Sequence, residues 1–208
     1  FFDFAVDFDG DGKRDLWNSL PDIFASAANY LNRSGWQEDR TWGREVRLPS
    51  SFDIELSGLE TRKSLVEWNK LGVRQVNGKS LPNVVVDDAS VLLPSGYRGP
   101  AFLIYNNYRT TMIWNRSHLY ALAVGHLSDR IVGKDKLSAD LGDVEPLSRY
   151  DISDLQRRLN ALGFLAGAPD GRPGPMTRRA IKGYQRKYGL PADGFPNSQL
   201  IEHVRKQL

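Results

Sequence analysis

The stretch Asp7-Phe8-Asp9-Gly10-Asp11-Gly12-Lys13-Arg14-Asp15 constrains this chain more than any other. Three aspartates alternate with other residues, and a glycine follows the third. Alternate side chains of such a loop converge on one centre. Gly12 permits the sharp turn that brings the next carbonyl, that of Lys13, to the same point. This is how a chain wraps a calcium ion, which takes six to eight oxygen ligands, so further oxygen must come from downstream. Asn18 stands where a standard EF-hand places a bidentate Glu, and it is a weaker ligand. Asp22 is the better candidate for closing the site. The metal set is therefore Asp7, Asp9, Asp11, the Lys13 carbonyl and Asp22, with Ca2+ in a structural role. A plain Asp/Gly surface turn does not require three carboxylates in alternation.

Ser19 or Asp22 can cap a helix over residues 20–34, because Ile23, Ala27, Tyr30 and Leu31 fall on one helical face and Gly35 follows. Loop and helix then form one unit, with Asp22 in the first turn reaching back to the ion. Further on, Phe52-Asp53-Ile54-Glu55-Leu56 alternates like a short strand. Thr61 can cap a helix carrying Leu65, Val66, Trp68 and Asn69, which Gly72 ends. Val84–Val86, Val91–Leu93 and Ala101–Tyr105 read as strands of a small antiparallel sheet. Ser117 caps a helix with Tyr120, Ala123, Val124, Leu127 and Ile131 on one face. Residues 133–149 are polar and weakly periodic, and we expect a linker there. The last 60 residues read as three short helices, with Thr177 capping the second. Asp170-Gly171 and Asp193-Gly194 precede the second and third, a weak internal echo.

Composition narrows the chemistry. With no cysteine among 208 residues, disulfides, thiol catalysis and cysteine-ligated zinc are excluded. The three histidines, His118, His126 and His203, have no metal-ligand spacing. No apolar run is long enough to span a membrane, and no anchoring motif is visible. Phe1 is not a natural start, so the sequence reads as a mature or truncated product. Charge is uneven: residues 148–208 hold 11 Lys/Arg against 5 Asp/Glu, while the chain as a whole carries only +3. The basic tail could meet an anionic polymer. It lacks the interleaved aromatics of a nucleic-acid surface, so no nucleic acid is expected.

Two resemblances add to this reading. The tail, with Asp154-Leu155-Gln156, Leu159, Gly163, Asp170-Gly171, Gly174, Thr177, Ala180, Tyr184-Gln185, Gly189-Leu190 and Asp193-Gly194, resembles the peptidoglycan-binding domain at the ends of many cell-wall hydrolases. It departs from that pattern at Asn197. The first 132 residues resemble the C-terminal part of a lytic murein transglycosylase of the B type. Three stretches carry this: Phe4–Trp17 around the Asp loop, Ala28-Asn29-Tyr30-Leu31 with Gly35-Trp36, and Trp114-Asn115-Arg116-Ser117 with Tyr120–Val124. The implied fold class is α+β. A lysozyme-like transglycosylase fragment (1–132) holds an EF-hand-like calcium loop and a small antiparallel sheet. A linker (133–149) and a three-helix peptidoglycan-binding domain (150–208) follow.

The resemblance implies an enzyme that cleaves the β-1,4 bond between N-acetylmuramic acid and N-acetylglucosamine. One Glu protonates the leaving oxygen, and the muramic C6 hydroxyl attacks the anomeric carbon to leave a 1,6-anhydro end. One carboxylate suffices because the nucleophile is tethered to the substrate. That Glu is expected upstream of the Asp loop. Glu60-Thr61-Arg62 lacks the glycine of the family motif and reads as structural, so no catalytic residue is assigned and the chain alone is expected to be inactive. By the same resemblance Tyr30, Trp114, Asn115 and Tyr120 line the substrate cleft, the Trp replacing a family Tyr. From helical spacing alone, Tyr30 and Tyr120 read equally as core. The implied partner is the glycan strand of peptidoglycan, and the implied place the Gram-negative periplasm, with outer-membrane association open. Two rival readings are a binding module that cuts nothing and a calcium-switched interaction protein. Against the last, sensors usually pair such loops and close them with Glu.

Overall fold

The computed structural model describes residues 3–138 and 146–208. The elements are α1 (Leu20–Arg33), β1 (Gly43–Arg47), α2 (Leu65–Lys70), β2 (Arg74–Gln75), β3 (Ser90–Leu92), β4 (Ala101–Ile104), α3 (Asn106–Trp114), α4 (His118–Ile131), α5 (Arg149–Ala161), α6 (Pro175–Lys187) and α7 (Ser198–Arg205). They fall into two compact units, Phe1–Arg44 with Ile104–Lys136 and Glu45–Leu103 with Leu137–Leu208.

In the first unit α3 packs against both α1 and α4. Its hydrophobic periodicity is poor, since the residues it buries include Asn107, Thr110 and Thr111 beside Tyr108. Each has a partner. The Asn107 side chain accepts from Gln37 N (2.8 Å) and donates to the carbonyls of Gln37 (2.8 Å) and Arg40 (2.7 Å). The two threonine hydroxyls donate one turn back, to Asn106 O and Asn107 O. A buried polar group that is satisfied costs little, so a helix without an apolar stripe is stable here. On α4 the expected apolar face is not the buried one. Val124, Leu127 and Ile131 are exposed, while Ala121 and Gly125 are buried. Trp42 takes that side: a Cβ on Gly125 would stand 2.4 Å from its Cδ2. The Trp42 ring nitrogen donates to Asp129 Oδ2 at 3.0 Å. His118 is half-buried, its Nδ1 3.0 Å from the Tyr108 hydroxyl.

The second unit holds a small antiparallel sheet in the order β2-β1-β4-β3, with Val46 opposite Gln75 and Arg47 opposite Arg74. β3 and β4 are buried throughout. Three expectations fail in this region. Residues 52–56 form no strand; Asp53 accepts from Glu55 N (2.9 Å) and caps a single 3-10 turn, Ile54–Leu56. Val84–Val86 is not a strand either, and Val85 is 74% exposed. Ser64, not Thr61, caps α2, in a reciprocal box with Glu67.

The same unit contains the three tail helices around Leu155, Leu159, Ala180, Ile181, Tyr184, Leu200, Ile201 and Val204. The echo in the sequence is a repeated clamp. Gln156 Oε1 accepts from Gly171 N (3.0 Å), and its Nε2 donates to Asp170 Oδ1 (3.2 Å). Gln185 repeats this with Gly194 N (2.9 Å) and Asp193 Oδ1 (2.8 Å). Both turn glycines have positive φ, 73° and 71°. Thr177 is no cap. Gly174 and Pro175 start α6, and the buried Thr177 hydroxyl donates to Ala166 O (3.0 Å) and receives Gln156 Nε2 (3.0 Å). Asn197 caps α7 by accepting from Leu200 N at 2.7 Å. The expected linker is shortened by α5, which begins at Arg149, and its stretch 139–145 lies outside the described residues.

The clamp gives a test. Gln156→Leu keeps the volume but strands the Gly171 N–H in a buried place and takes from the Thr177 hydroxyl the donor it receives, leaving it only its bond to Ala166 O. We expect a loss of about 1–3 kcal/mol, read as a lower urea midpoint.

Within this unit the tail rests on the segment before β4 and on the 3-10 turn. Asp193 Oδ2 accepts from Tyr97 N at 2.9 Å. Lys182 Nζ donates to Glu55 O (2.9 Å) and Ser57 O (3.1 Å), and Arg186 pairs with the Glu55 carboxylate. That pairing holds Glu55 below the ordinary carboxylate range.

Candidate functional site

Two sites in the first unit carry the chemistry-bearing residues. The first is the Asp loop. Asp7, Asp9 and Asp22 each bring a carboxylate oxygen to within 4.8 Å of the others. Asp22 is fully buried, although it lies on α1. Position and hydrogen bonds explain how it stays charged. Ser19 caps α1, so Asp22 occupies the third helical position, where the helix dipole favours an anion. Its Oδ1 accepts from Phe8 N (2.7 Å) and its Oδ2 from Asp15 N (2.9 Å). The Phe8 N–H chiefly holds its carboxyl below the ordinary value of 3.8, against burial, with Asp15 N–H and Asp9 N–H adding to it. Asp7 accepts from Gly10 N (2.8 Å) and Gly12 N (2.9 Å), and Ser19 Oγ donates to Asp9 Oδ2 (2.7 Å). Gly10 and Gly12 both have positive φ, the conformation that folds the loop over its own carboxylates.

Of the remaining residues expected at this loop, Asp11 stands outside the trio; its Oδ1 accepts from Lys13 N at 2.8 Å. Lys13 is exposed. Asn18 is turned the other way, its Nδ2 donating to Asp15 Oδ2 at 3.0 Å. Backbone N–H groups satisfy the carboxylates as hydrogen-bond acceptors but leave three like charges together. An all-oxygen anionic donor set of this kind fits a hard divalent cation such as calcium.

The second site is aromatic. Tyr30, near the end of α1, meets Trp114, the last residue of α3, edge to face with ring centroids 4.9 Å apart. Phe4 stacks behind Tyr30 at 4.8 Å, again edge to face. Asn29 Nδ2 fixes the Phe4 carbonyl (2.9 Å), and the Arg33 guanidinium lies 6.0 Å from the Phe4 ring. Tyr30 is half-buried, while Trp114 is 48% exposed. Asn115 follows as the C-cap of α3, with its side chain exposed. The chain turns sharply there, Ser117 N donating to Asn115 O at 2.7 Å. The structure thus brings Tyr30, Trp114 and Asn115 to one place. Tyr120 lies half-buried in the first turn of α4. Glu60 sits on an exposed turn of the other unit.

Such a site can do definite chemistry. An exposed indole offers a face to the apolar side of a sugar ring, and a neighbouring carboxamide can both donate and accept. Sequence reasoning missed α3, the helix that delivers Trp114, because no apolar periodicity marks it.

The model of the transglycosylase SLT domain family matches residues 1–129, and that of a peptidoglycan binding domain matches residues 148–203. Over 98% of its length the chain is similar to SltB3 of Pseudomonas aeruginosa, solved in complex with NAG-NAM-pentapeptide and with NAG-anhNAM-pentapeptide. The identity is 48% and the TM-score 0.92, and the chain spans 55% of the SltB3 chain. The Escherichia coli lytic transglycosylase Slt35, solved in complex with calcium, shares 27% identity at a TM-score of 0.51. That match covers 63% of this chain and 40% of Slt35. Over 59 residues the chain is 51% identical to the N-acetylmuramoyl-L-alanine amidase CwlM of Mycobacterium tuberculosis, 28% of this chain and 14% of that protein. Among the described residues no helix is long and apolar enough to cross a membrane.

Proposed function

Starting from the transglycosylase SLT domain family, to which this chain belongs, we propose that it is the glycan-holding and wall-binding part of a peptidoglycan lytic transglycosylase. The observation that carries this is the likeness to SltB3 over nearly the whole chain, in a protein whose complexes hold both an uncleaved and an anhydro disaccharide with its peptide. The reaction is cleavage of the MurNAc–GlcNAc β-1,4 bond with formation of 1,6-anhydro-MurNAc. A Glu upstream of the Asp loop protonates the leaving oxygen. In this chain Trp114 stacks on a sugar ring, Tyr30 sets the angle of the indole, Asn115 holds an acetamido group or hydroxyl, and Tyr120 lines the same cleft. Holding the sugar still lets its own C6 hydroxyl act as the nucleophile.

The division of labour we propose is residues 1–132 for the catalytic region, 133–149 as connector and 150–208 for wall binding. The Asp loop is EF-hand-like. Asp7, Asp9 and Asp22, with Asp11 and the Lys13 carbonyl, would hold a structural Ca2+ that ties the N-terminal strand of chain to α1. Slt35 with calcium supports this. The working place in this reading is the periplasm of a Gram-negative cell, where a peptidoglycan-cleaving and wall-binding chain would meet its substrate.

The test is incubation with purified peptidoglycan, pelleting, and mass spectrometry of the supernatant. The 208-residue chain is expected in the pellet without soluble product. Joined to an upstream segment that carries the general acid, it is expected to release 1,6-anhydro muropeptides. A chain that stays in the supernatant overturns the proposal, and a joined chain that binds but releases nothing leaves a binding module. Trp114→Ala should weaken binding of NAG-NAM-pentapeptide about tenfold, roughly 1.4 kcal/mol, in a calorimetric titration.

A further inference from the structure

The clamp of the tail occurs twice, and its two copies meet different surroundings. A shift of 29 positions carries Gln156 onto Gln185 and Arg157 onto Arg186, and a shift of 23 carries Asp170-Gly171 onto Asp193-Gly194. The geometry repeats in detail. Each aspartate N–H donates two residues back, to Ala168 O (2.8 Å) or Pro191 O (3.0 Å). Each Oδ1 accepts from the N–H two residues on, that of Arg172 or Phe195, at 2.8 Å. A Cβ on either turn glycine would meet the carbonyl oxygen of the arginine seven positions before its clamp glutamine, Arg149 O at 2.5 Å or Arg178 O at 2.9 Å.

The second copy holds a segment of its own unit. Asp193 Oδ2 accepts from Tyr97 N (2.9 Å), Arg186 pairs with the Glu55 carboxylate, and Lys182 Nζ donates to the carbonyls of Glu55 and Ser57. This face thus grips a polypeptide by a backbone N–H, a carboxylate and two carbonyls. At the first copy the matching groups are open. Asp170 is exposed, and the hydrogen bonds from Gln156 Nε2 and Arg172 N both go to its Oδ1; among the described residues Oδ2 receives none from another residue. The Arg172 N–H chiefly holds the carboxyl below its ordinary 3.8, so Oδ2 is a charged acceptor at neutral pH. Arg157, its side chain 53% exposed, lies 3.8 Å from Asp154 Oδ1, beyond hydrogen-bond reach, while Asp154 Oδ2 is bound by Arg158 and Arg205. Arg172 is exposed where the second turn has Phe195. Only the Lys182 grip lacks a counterpart: Ser153 stands at its place and donates to Pro169 O (2.8 Å). A face with fewer grips suits a ligand that comes and goes.

The occupant must bring a backbone N–H and a carboxylate, as Tyr97 and Glu55 do at the second copy. The sugars of an intact wall offer no free carboxylate, because the lactyl group of muramic acid is used in the bond to the peptide. The stem peptide offers both groups. We propose that the open face of α5 and the first Asp-Gly turn bind the stem peptide of peptidoglycan, with a peptide N–H on Asp170 Oδ2 and a carboxylate on Arg157 and Arg172. The inference rests on the reading of the tail as wall-binding and names the part of the wall that it recognises.

The test is an amide chemical-shift titration of the 208-residue chain with a free stem tetrapeptide, the same peptide with its carboxylates amidated, and peptide-free glycan strands. The free peptide is expected to shift the amides of residues 153–157 and 170–172, and the glycan to leave them still. Amidation, Arg157→Gln and Asp170→Asn should each weaken the peptide at least tenfold. Asp170→Asn keeps Oδ1, and with it the clamp, but turns the outer acceptor into a donor; melting temperatures check that both variants fold. Absence of shifts at 153–157, equal affinity for the amidated peptide, or parent affinity in both variants overturns this inference. If the chain then still co-sediments with whole peptidoglycan, the wall-binding reading stands without it; if it does not, both fall. A dimer that Asp170→Asn dissociates also overturns the inference, since a second copy would then be the occupant.

Discussion

Asp22→Ala is expected to abolish calcium-linked stabilisation of the first unit. In the parent chain, calcium at a hundred times its dissociation constant should add about 2.7 kcal/mol and raise the melting temperature by about 5–10 °C. The substitution should remove that increment entirely and also lower the metal-free melting temperature. Asp22 is the one carboxylate of the trio that is wholly inside, and it ties Phe8 and Asp15 of the loop to α1. Removing it strands those N–H groups and takes away a ligand at once. Asp11→Ala serves as comparison, since Asp11 stands outside the trio and should cost less. Differential scanning calorimetry with and without millimolar calcium decides this. An unchanged parent melting temperature on adding calcium would remove the metal from the account.

The same carboxylate sets a pH dependence. Its folded-state pKa lies below the ordinary 3.8, mainly through the Phe8 N–H. The linked stability is therefore fully present above that ordinary value and is lost as pH falls through the lower folded value. Asp15, held down by the N–H groups of Trp17 and Asn18 and by the Asn18 side chain, loses its contribution in the same window. Asp154 in the tail behaves alike: burial works against its charge, but Arg158 and Arg205 outweigh it. Metal-free melting temperature should thus be flat from pH 7 to about 5 and fall below pH 4.

Gly171→Val should be the most damaging single change in the tail. Gly171 has a φ of +73°, and any Cβ would lie 2.5 Å from the carbonyl oxygen of Arg149. Both the backbone conformation and the space exclude a β-branched side chain. We expect a loss of about 2–5 kcal/mol, combining left-handed strain with overpacking. That is enough to open a small helical domain, and co-sedimentation of the chain with peptidoglycan should drop with it. Gly174→Ala, where a Cβ would meet nothing within 4 Å, is the control and should leave sedimentation intact. If Gly171→Val pellets as well as the parent chain, the tail is not what binds the wall.

The sequence was legible where local chemistry speaks for itself. The Asp loop, a start of α1 at Ser19 or Asp22 (the structure uses Ser19) and its Gly35 end, the Ser117 cap of α4, and the three tail helices with their two Asp-Gly turns all follow from short-range rules of capping, turn residues and periodicity. That Tyr30 and Trp114 share one neighbourhood came only from family resemblance, because two residues 84 positions apart share no local signal, and the edge-to-face contact of their rings came from the structure. Tertiary structure alone decided the rest. It made a helix of Asn106–Trp114, whose buried Asn107 and threonines satisfy themselves through partners that sequence does not announce. It turned the small side of α4 inward because Trp42 needed Gly125. It refused a strand at Val84–Val86 despite the β-branched run, since strand propensity acts only where a partner edge and a packing surface exist. It also set the basic tail on Glu55 and Tyr97, so that Lys182 and Arg186 serve packing inside the second unit. Short-range rules specify elements and turns; which faces close on which is set by volume and by hydrogen-bond partners distant in sequence.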